Sequence, residues 1–467
     1  MTKPIYDFGL IGLGTMGKNL LLNMSDCGYQ TAGYDKDLEK VKSLKDEPGE
    51  IYGAETLEDF VNSLEKPRRI MMLVPAGKIV DYVISDVVPL LDKGDILMDG
   101  GNSYFKDTER RQRECEEKGI HYLGIGISGG AEGARRGPSM MPGGNKKAYG
   151  KVKKILEDAA AKVGKQPCVT YLGEGSVGNY VKMVHNGIEY GLMQILAEAY
   201  DIMKRGLGMG NGEICTVFTE WNEKELESFL VEITARIFQV EDKETGKDVI
   251  DLVLDKGKQK GTGKWTSQNA MDVGVPVPTI DLAVIARAIS AFKKDRTAAS
   301  EILTGPNTTI KKQQAAYVRR LRNATFFSFV VTYAQGMDLL KQASEEYKYN
   351  LDLEGVTRIW RGGCIIRAKM LEDFRKAYRR DKDLANLMTD ASLAKKLNKT
   401  QKDTRTVVID AVKAGIPLPC VSSCLTYFDS YRTARLPMNL TQAQRDFFGA
   451  HTYERIDREG IFHTDWD

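Results

Sequence analysis

The turn Gly12-Leu13-Gly14-Thr15-Met16-Gly17 constrains this chain more than any other segment. It follows the apolar run Phe8-Gly9-Leu10-Ile11 and opens a helix-like stretch over residues 18–26, closed by Gly28. A strand that enters a helix through Gly-x-Gly-x-x-Gly is the fingerprint of a dinucleotide-binding βαβ unit. Gly12 permits the tight turn, Gly14 lets the backbone approach a pyrophosphate, and Gly17 lets helix and strand pack closely. The first helical turn then presents unpaired N–H groups and a positive dipole end to the phosphates. Glycine occurs 45 times in the chain, so spacing alone says little; the place between strand and helix carries the reading.

Residues 31–34, 70–74, 96–98 and 122–125 read as further strands separated by helical segments. Continuous apolar strands imply a parallel sheet covered on both faces, and the alternation with helices implies a doubly wound Rossmann-like fold. After about residue 175 the strand signals thin out and long helical periods dominate, as over 181–205 and 280–293. The junction is the Gly-rich piece 173–178, with Asn179 a helix cap. The expected division is therefore a dinucleotide-binding domain over 1–176, a large all-α domain over 177–440 and a C-terminal tail over 441–467. Within the helical part, Gly274-Val275-Pro276-Val277-Pro278 is echoed by Gly415-Ile416-Pro417-Leu418-Pro419, which points to an internal duplication rather than a short repeat.

The net charge of +3 gives no global field for nucleic acid or an anionic membrane. No uncharged apolar run is long enough to span a bilayer, and the start Met1-Thr2-Lys3-Pro4 has no signal-peptide character. Seven scattered cysteines fit a reducing cytoplasmic setting, with Cys420 and Cys424 as small core residues on a helix.

Asp35 ends the second strand, near the ~20-residue spacing at which an acid receives the adenosine ribose hydroxyls. A carboxylate there repels a 2′-phosphate and favours NAD over NADP, although the adjacent Lys36 partly offsets it. Farther on, Lys182, His185, Asn186, Glu189 and Tyr190 fall on one face of a helix whose other positions are apolar. A largely buried helix needs partners for such a face: the residues form either a closed network or an acid–base pair. A lysine whose pKa is lowered by burial can take a proton from a hydroxyl as hydride leaves the same carbon, and Glu189 can serve as an acid later. Lys260, in the loop Gln259-Lys260-Gly261-Thr262-Gly263-Lys264-Trp265, and Arg287, an isolated arginine in an apolar helix, read as an anion site, with Arg287 expected against a buried anion.

Together these motifs resemble the 6-phosphogluconate dehydrogenase family, within the wider 3-hydroxyacid dehydrogenases. The resemblance covers essentially the whole chain. It includes Asp99-Gly100-Gly101-Asn102-Ser103, Ser128-Gly129-Gly130, Gly137 through Gly144, Lys182 through Gly191, Trp360-Arg361-Gly362-Gly363-Cys364-Ile365-Ile366-Arg367, and Gln442-Ala443-Gln444-Arg445-Asp446 through His451. It implies oxidative decarboxylation of 6-phosphogluconate to ribulose 5-phosphate in the pentose phosphate pathway, without a metal. Lys182 would be the general base and Glu189 the later acid. Asn102, Ser128, Gly129, Gly130, His185 and Asn186 would hold the carboxylate and hydroxyls. Tyr190, Lys260, Arg287 and Arg445 would hold the phosphate, and His451 would also touch substrate. The dinucleotide would lie on Gly12, Leu13, Gly14, Thr15, Met16, Gly17, Asp35, Lys36, Val74, Pro75, Ala76 and Asn102. Arg445 and His451 would reach the neighbouring subunit's site, so a homodimer is implied.

Two departures stand out. NADP-preferring members usually carry Asn-Arg-Thr where this chain has Asp35-Lys36-Asp37, and many have lysine at the place of Pro75. The chain also stops at Asp467, without the longer tail of some relatives. Two other readings share the fold: a 3-hydroxy acid dehydrogenase that does not decarboxylate, against which the cations Lys260, Arg287 and Arg445 weigh, and a dinucleotide-binding protein without catalysis.

Overall fold

A computed structural model describes residues 5–466; the segment Met1–Pro4, read above for its lack of signal-peptide character, lies outside the described residues. Seven strands form one sheet: β1 (Phe8–Ile11), β2 (Thr31–Tyr34), β3 (Ile51–Gly53), β4 (Arg69–Met72), β5 (Ile96–Asp99), β6 (His121–Ser128) and β7 (Ser139–Gly144). Their order is β3-β2-β1-β4-β5-β6-β7, all parallel except β7, which runs antiparallel to β6. Successive residues feed opposite faces. Leu10, Met71, Ile96 and Met98 enter one apolar cluster, and Ile11, Ile70, Met72 and Leu97 enter the other. That is why these strands read as unbroken apolar runs.

Strands β3 and β7 are not foreseen from the sequence. β3 is three residues long, and β7 carries Pro142 and two glycines, which an edge strand tolerates because one side needs no N–H donors. The sheet order reverses between β1 and β4. In doubly wound sheets such a switch point opens a crevice at the strands' carboxyl ends.

Helix α1 (Thr15–Asp26) follows β1, and α2 (Phe105–Glu116) joins β5 to β6. The helical part begins with α3 (Val177–Asp201), which passes into a π-helical turn, Ile202–Gly206. Asn179 is not its cap. Ser176 takes that position while its hydroxyl pairs with Tyr349, and Asn179 lies buried inside the first turn. α3 rides directly on the sheet backbone. A Cβ on Gly126 would lie 2.4 Å from Lys182 Cβ, one on Gly124 2.2 Å from Asn179 Oδ1, and one on Gly143 2.6 Å from the Gly178 nitrogen.

Next come α4 (Thr262–Asp272), α5 (Pro278–Ala291), α6 (Gln314–Glu346), α7 (Ala391–Ala414), α8 (Pro419–Tyr431) and α9 (Met438–Gly449). The helix expected over 280–293 breaks at Phe292, with ψ 45° there. The motif echo is structural. Gly274 and Gly415 both take positive φ, at 70° and 63°, and each precedes a helix with proline in its first turn. The two Pro-led helices, α5 and α8, pack on each other. A side chain of a long helix caps each: Gln335 of α6 accepts from Thr279 N, and Glu198 of α3 accepts from Cys420 N and Val421 N. Cys420 and Cys424 are fully buried, as expected. Among the described residues no helix is long and apolar enough to cross a membrane.

Candidate active site

At the switch point a cleft of about 500 Å³ opens between the ends of β1 and β4, lined by Gly12, Gly14, Asp35, Lys36, Val74 and Pro75 among others. The three glycines of the turn have three different reasons. Gly12 has φ 99°, and a Cβ there would meet the Leu73 carbonyl at 2.6 Å. A Cβ on Gly17 would stand 1.8 Å from the Gly12 carbonyl, so the helix cannot approach the turn with any side chain there. Gly14 faces open space, with nothing within 4 Å, and it precedes a helix that has no side-chain cap and no acid in its first turn. The space and the free donors fit a pyrophosphate.

Asp35 accepts from the Leu13 amide at 2.7 Å and from the Asp37 amide at 2.9 Å, which fixes its carboxylate at the cleft wall. Lys40 lies 3.6 Å from Asp35 and 3.6 Å from Asp37, and Lys36 pairs with Asp86 at 3.2 Å.

Below the cleft, the loop between β5 and α2 touches α3. Gly101 packs against the Val74 carbonyl, and its own carbonyl accepts from Asn179 Nδ2 at 3.3 Å. Arg111 of α2, fully buried, braces this loop and the one after β4. It donates to Asp81 at 2.7 Å, to the Gly77 carbonyl at 2.9 Å and to Ser103 Oγ at 3.4 Å. The Arg111 hydrogen bonds hold the Asp81 carboxyl down at about 2.

On α3 the polar face is intact. His185 is fully buried between Ser128 Oγ, 3.1 Å from Nε2, and Asn186 Oδ1, 3.1 Å from Nδ1, with its ring edge-on to Trp360. Burial and the neighbouring Lys182 push its pKa well below the ordinary value, so it is a neutral hydrogen-bonding group. Asn186 donates to Thr262 Oγ1 at 3.0 Å, tying α3 to the start of α4. Lys182 is 6% exposed, and no hydrogen-bond partner for its Nζ is found among the described residues. Burial lowers its pKa, against the pull of Glu189. Burial raises that of Glu189, against Lys182 and Arg287. A base that is easily neutral and an acid that is easily protonated thus stand two helical turns apart.

The cations sort themselves into two groups. The Arg287 guanidinium stacks 3.4 Å from the centre of the Tyr190 ring and donates to the Lys258 carbonyl at 3.4 Å, which draws in the loop carrying Lys260. Its helix is apolar, yet only in part buried. Ile285 and Ile289 on it are exposed, and Arg287 is half-buried. Arg445 and His451 are not brought to this cluster. Both lie exposed on the tail, where Arg445 contacts Gln442 and His451 contacts Phe448.

Residues 178–466 match the family model described as 6-phosphogluconate dehydrogenase, C-terminal domain, and residues 7–173 match the NAD binding domain of 6-phosphogluconate dehydrogenase. The chain belongs to the 6-phosphogluconate dehydrogenase family. It is 50% identical over 461 residues to the Bacillus subtilis 6-phosphogluconate dehydrogenase, NADP(+)-dependent, decarboxylating, with 98% of each chain covered. It is 49% identical to the decarboxylating enzyme of Lactococcus lactis subsp. lactis, again over 98% of both. The Plasmodium falciparum 6-phosphogluconate dehydrogenase, solved in its apo form and with NADP+ and 6-phosphogluconate, superposes with a TM-score of 0.95 at 46% identity, covering 98% of this chain and all of that one.

Within this family member, the residues expected from the sequence fall into place unevenly. Gly129, at φ 131°, and Gly130, at φ 65°, turn the chain from β6 beneath Ser128. Asn102 and Ala76 are exposed on loops flanking the cleft, and Thr15 is exposed at the first position of α1. Leu13 and Gly17 are buried, and the Leu13 and Met16 side chains pack into or against the sheet's core. Sequence reasoning missed Arg111 and the strand glycines Gly124, Gly126 and Gly143. It also missed a direct role for the 360–367 loop. There the Ile365 amide reaches Ser128 Oγ at 3.4 Å, and the buried Cys364, its thiol pushed up to about 12, borders Lys182. The Gly-x-Gly spacing in β6 was the available signal, because a strand rarely gives up two side chains on one face without a close neighbour.

Proposed function

We propose that this chain oxidises 6-phosphogluconate and releases CO2 and ribulose 5-phosphate, and that Lys182 and Glu189 carry the proton transfers. Lys182, buried beside Glu189 and without a hydrogen-bond partner among the described residues, is the observation that carries the reading. The bound dinucleotide supplies the hydride acceptor. Neutral Lys182 takes the proton of the 3-hydroxyl as hydride leaves C3. The protonated amine then faces the new carbonyl oxygen and stabilises the charge that builds there as CO2 departs. Glu189 delivers a proton to C1 of the resulting enediol. Ser128, Gly129, Gly130, His185, Asn186 and Asn102 orient the carboxylate and hydroxyls. Tyr190, Lys260 and Arg287 receive the phosphate.

Arg445 and His451 complete the phosphate and substrate contacts of a neighbouring subunit in a homodimer. Their exposure in the single chain, beside the exposed Phe447 and Phe448, supports this. The functional units are 1–176, 177–440 and the tail 441–467, in a cytoplasmic enzyme.

NAD is the preferred cofactor in this reading. Three carboxylates, Asp35, Asp37 and Asp86, surround the ribose end of the cleft, and they already engage the two lysines there. The Bacillus subtilis relative is an NADP(+)-dependent enzyme by name, so the comparison of kcat/KM for NAD and NADP on the purified enzyme is decisive for this chain; a strong NADP preference refutes the role given to Asp35. The reaction itself is tested by supplying 6-phosphogluconate and following reduced cofactor and CO2 together. Reduction without CO2 sinks the assignment.

A further inference from the structure

Arg445 and His451 flank the end of α9, at a turn that few residues adopt. Ala450, at φ 48°, and Thr452, at φ 60°, both take left-handed backbone without being glycine. Such a turn persists only where its surroundings over-determine it. Here two side chains one turn apart on α9 grip the same residue from both sides. Asp446 Oδ1 accepts from the Thr452 amide at 2.9 Å, and Gln442 Nε2 donates to the Thr452 carbonyl at 2.6 Å. Gln442 Oε1 in turn accepts from the Arg445 guanidinium at 3.1 Å. The His451 ring lies over Gly449, where a Cβ would come within 2.7 Å of Nε2, and stands edge-on to Phe448.

Asp446 is cut off from solvent and accepts three more hydrogen bonds, from His463 Nδ1 at 2.9 Å, the Thr464 amide at 3.1 Å and Trp466 Nε1 at 2.9 Å. Leu440, Phe447, Phe448 and Ile461 are all exposed, so this carboxylate and the Gln442 amide organise the tail together with the ring contacts of Tyr453 with Phe462 and Trp466.

We propose that Gln442 and Asp446 are positioning residues that lock Arg445 and His451 into one preformed unit. The proposal rests on the reading that those two side chains complete a neighbouring site. Gln442 orients the guanidinium and pins the Thr452 carbonyl, while Asp446 pins the amide of the same residue. Without the grip the turn relaxes toward negative φ, and His451 moves relative to Arg445. A unit ordered in advance loses less entropy when substrate arrives.

The test is steady-state kinetics on the full-length enzyme carrying Gln442→Ala, Asp446→Asn, Asp446→Ala, Arg445→Gln, His451→Gln, or Gln442→Ala with His451→Gln. Gln442→Ala is expected to raise the KM for 6-phosphogluconate about tenfold, with kcat and the cofactor KM within about twofold of wild type. In the His451→Gln background the same change should cost less than about threefold, because part of what it positions is gone. Asp446→Asn keeps an oxygen for the Thr452 amide and should raise KM less than Asp446→Ala. An unchanged KM in Gln442→Ala, alongside a raised KM in Arg445→Gln and His451→Gln, overturns the proposal and leaves the reading of the tail intact. An unchanged KM in both Arg445→Gln and His451→Gln overturns that reading, and the proposal with it. A fully additive loss in the double variant shows a merely structural role and also overturns the proposal.

Discussion

In the cleft between β1 and β4 the chain meets its ligand mainly with backbone: a turn with three glycines, an uncapped helix start and amide groups fixed by Asp35. On α3 the opposite holds. There the groups are side chains, carried by a buried helix and set against glycines of the sheet so that Lys182 and His185 lie deep beneath the surface. The first region works by leaving space and the second by filling it. A backbone site is therefore sensitive to an added methyl group, whereas a side-chain site is sensitive to a changed functional group at constant volume.

The largest expected effect is on the side-chain region. Lys182→Met keeps most of the buried volume but removes the proton acceptor; kcat should fall ~10³-fold with dinucleotide binding unaltered, measured by stopped-flow turnover and cofactor titration. Turnover near wild type would falsify the base assignment.

The cleft is tested by a pair of glycine variants. Gly17→Ala forces a methyl group to 1.8 Å from the Gly12 carbonyl; about 3 kcal/mol of destabilisation and loss of measurable dinucleotide affinity are expected in denaturant unfolding and binding experiments. Gly14→Ala meets no protein atom, so folding should be unaffected to within about 0.5 kcal/mol while dinucleotide affinity still drops. Equal folding defects in the two variants would break the distinction between space left for the fold and space left for a ligand.

A smaller change is expected from Asp35→Asn, which should move the ratio of kcat/KM for NAD over NADP about tenfold toward NADP, since the charge facing a 2′-phosphate is gone. An unmoved ratio assigns the selectivity to Lys36 and Lys40 instead.

The smallest effect belongs to the far end of α3. Burial raises the Glu198 pKa to about 7, against the hydrogen bonds from Val421 and Cys420. The folded protein therefore binds this proton more tightly than the unfolded chain does. Stability is fully present below the ordinary glutamate value and is lost as pH rises toward 7. Glu198→Gln should flatten the pH dependence of Tm between about pH 4.5 and 7, by roughly 2–4 °C. Identical slopes in both proteins would remove Glu198 as a source of pH dependence.

The legibility of the two regions differed in the same way. The glycine turn and the periodicity of Lys182, His185, Asn186, Glu189 and Tyr190 are local patterns, fixed by backbone geometry over a few residues, and both lie where the sequence placed them. Asn179 failed as a cap because the helix starts earlier, after Ser176, and a long-range partner, the Thr108 hydroxyl, donates to its side-chain oxygen. The exposure of Ile285 and Ile289 beside Arg287 was equally illegible, because an apolar helix face is no proof of burial. β7 escaped notice because Pro142 and two glycines hide a strand that only its edge position permits.

What the amino-acid order by itself determined is the doubly wound domain, the helical remainder with its echoed Pro-led helices, and the polar face of α3. Each depends on contacts between residues near in sequence or on a repeating period. Only the tertiary structure decided that Gly124, Gly126 and Gly143 let α3 lie on the sheet, that Arg111 braces the loops after β4 and β5, and that Gln442 and Asp446 grip Thr452. The first two sets of contacts join distant segments. The third is short-range yet depends on a left-handed turn in which none of the residues is glycine.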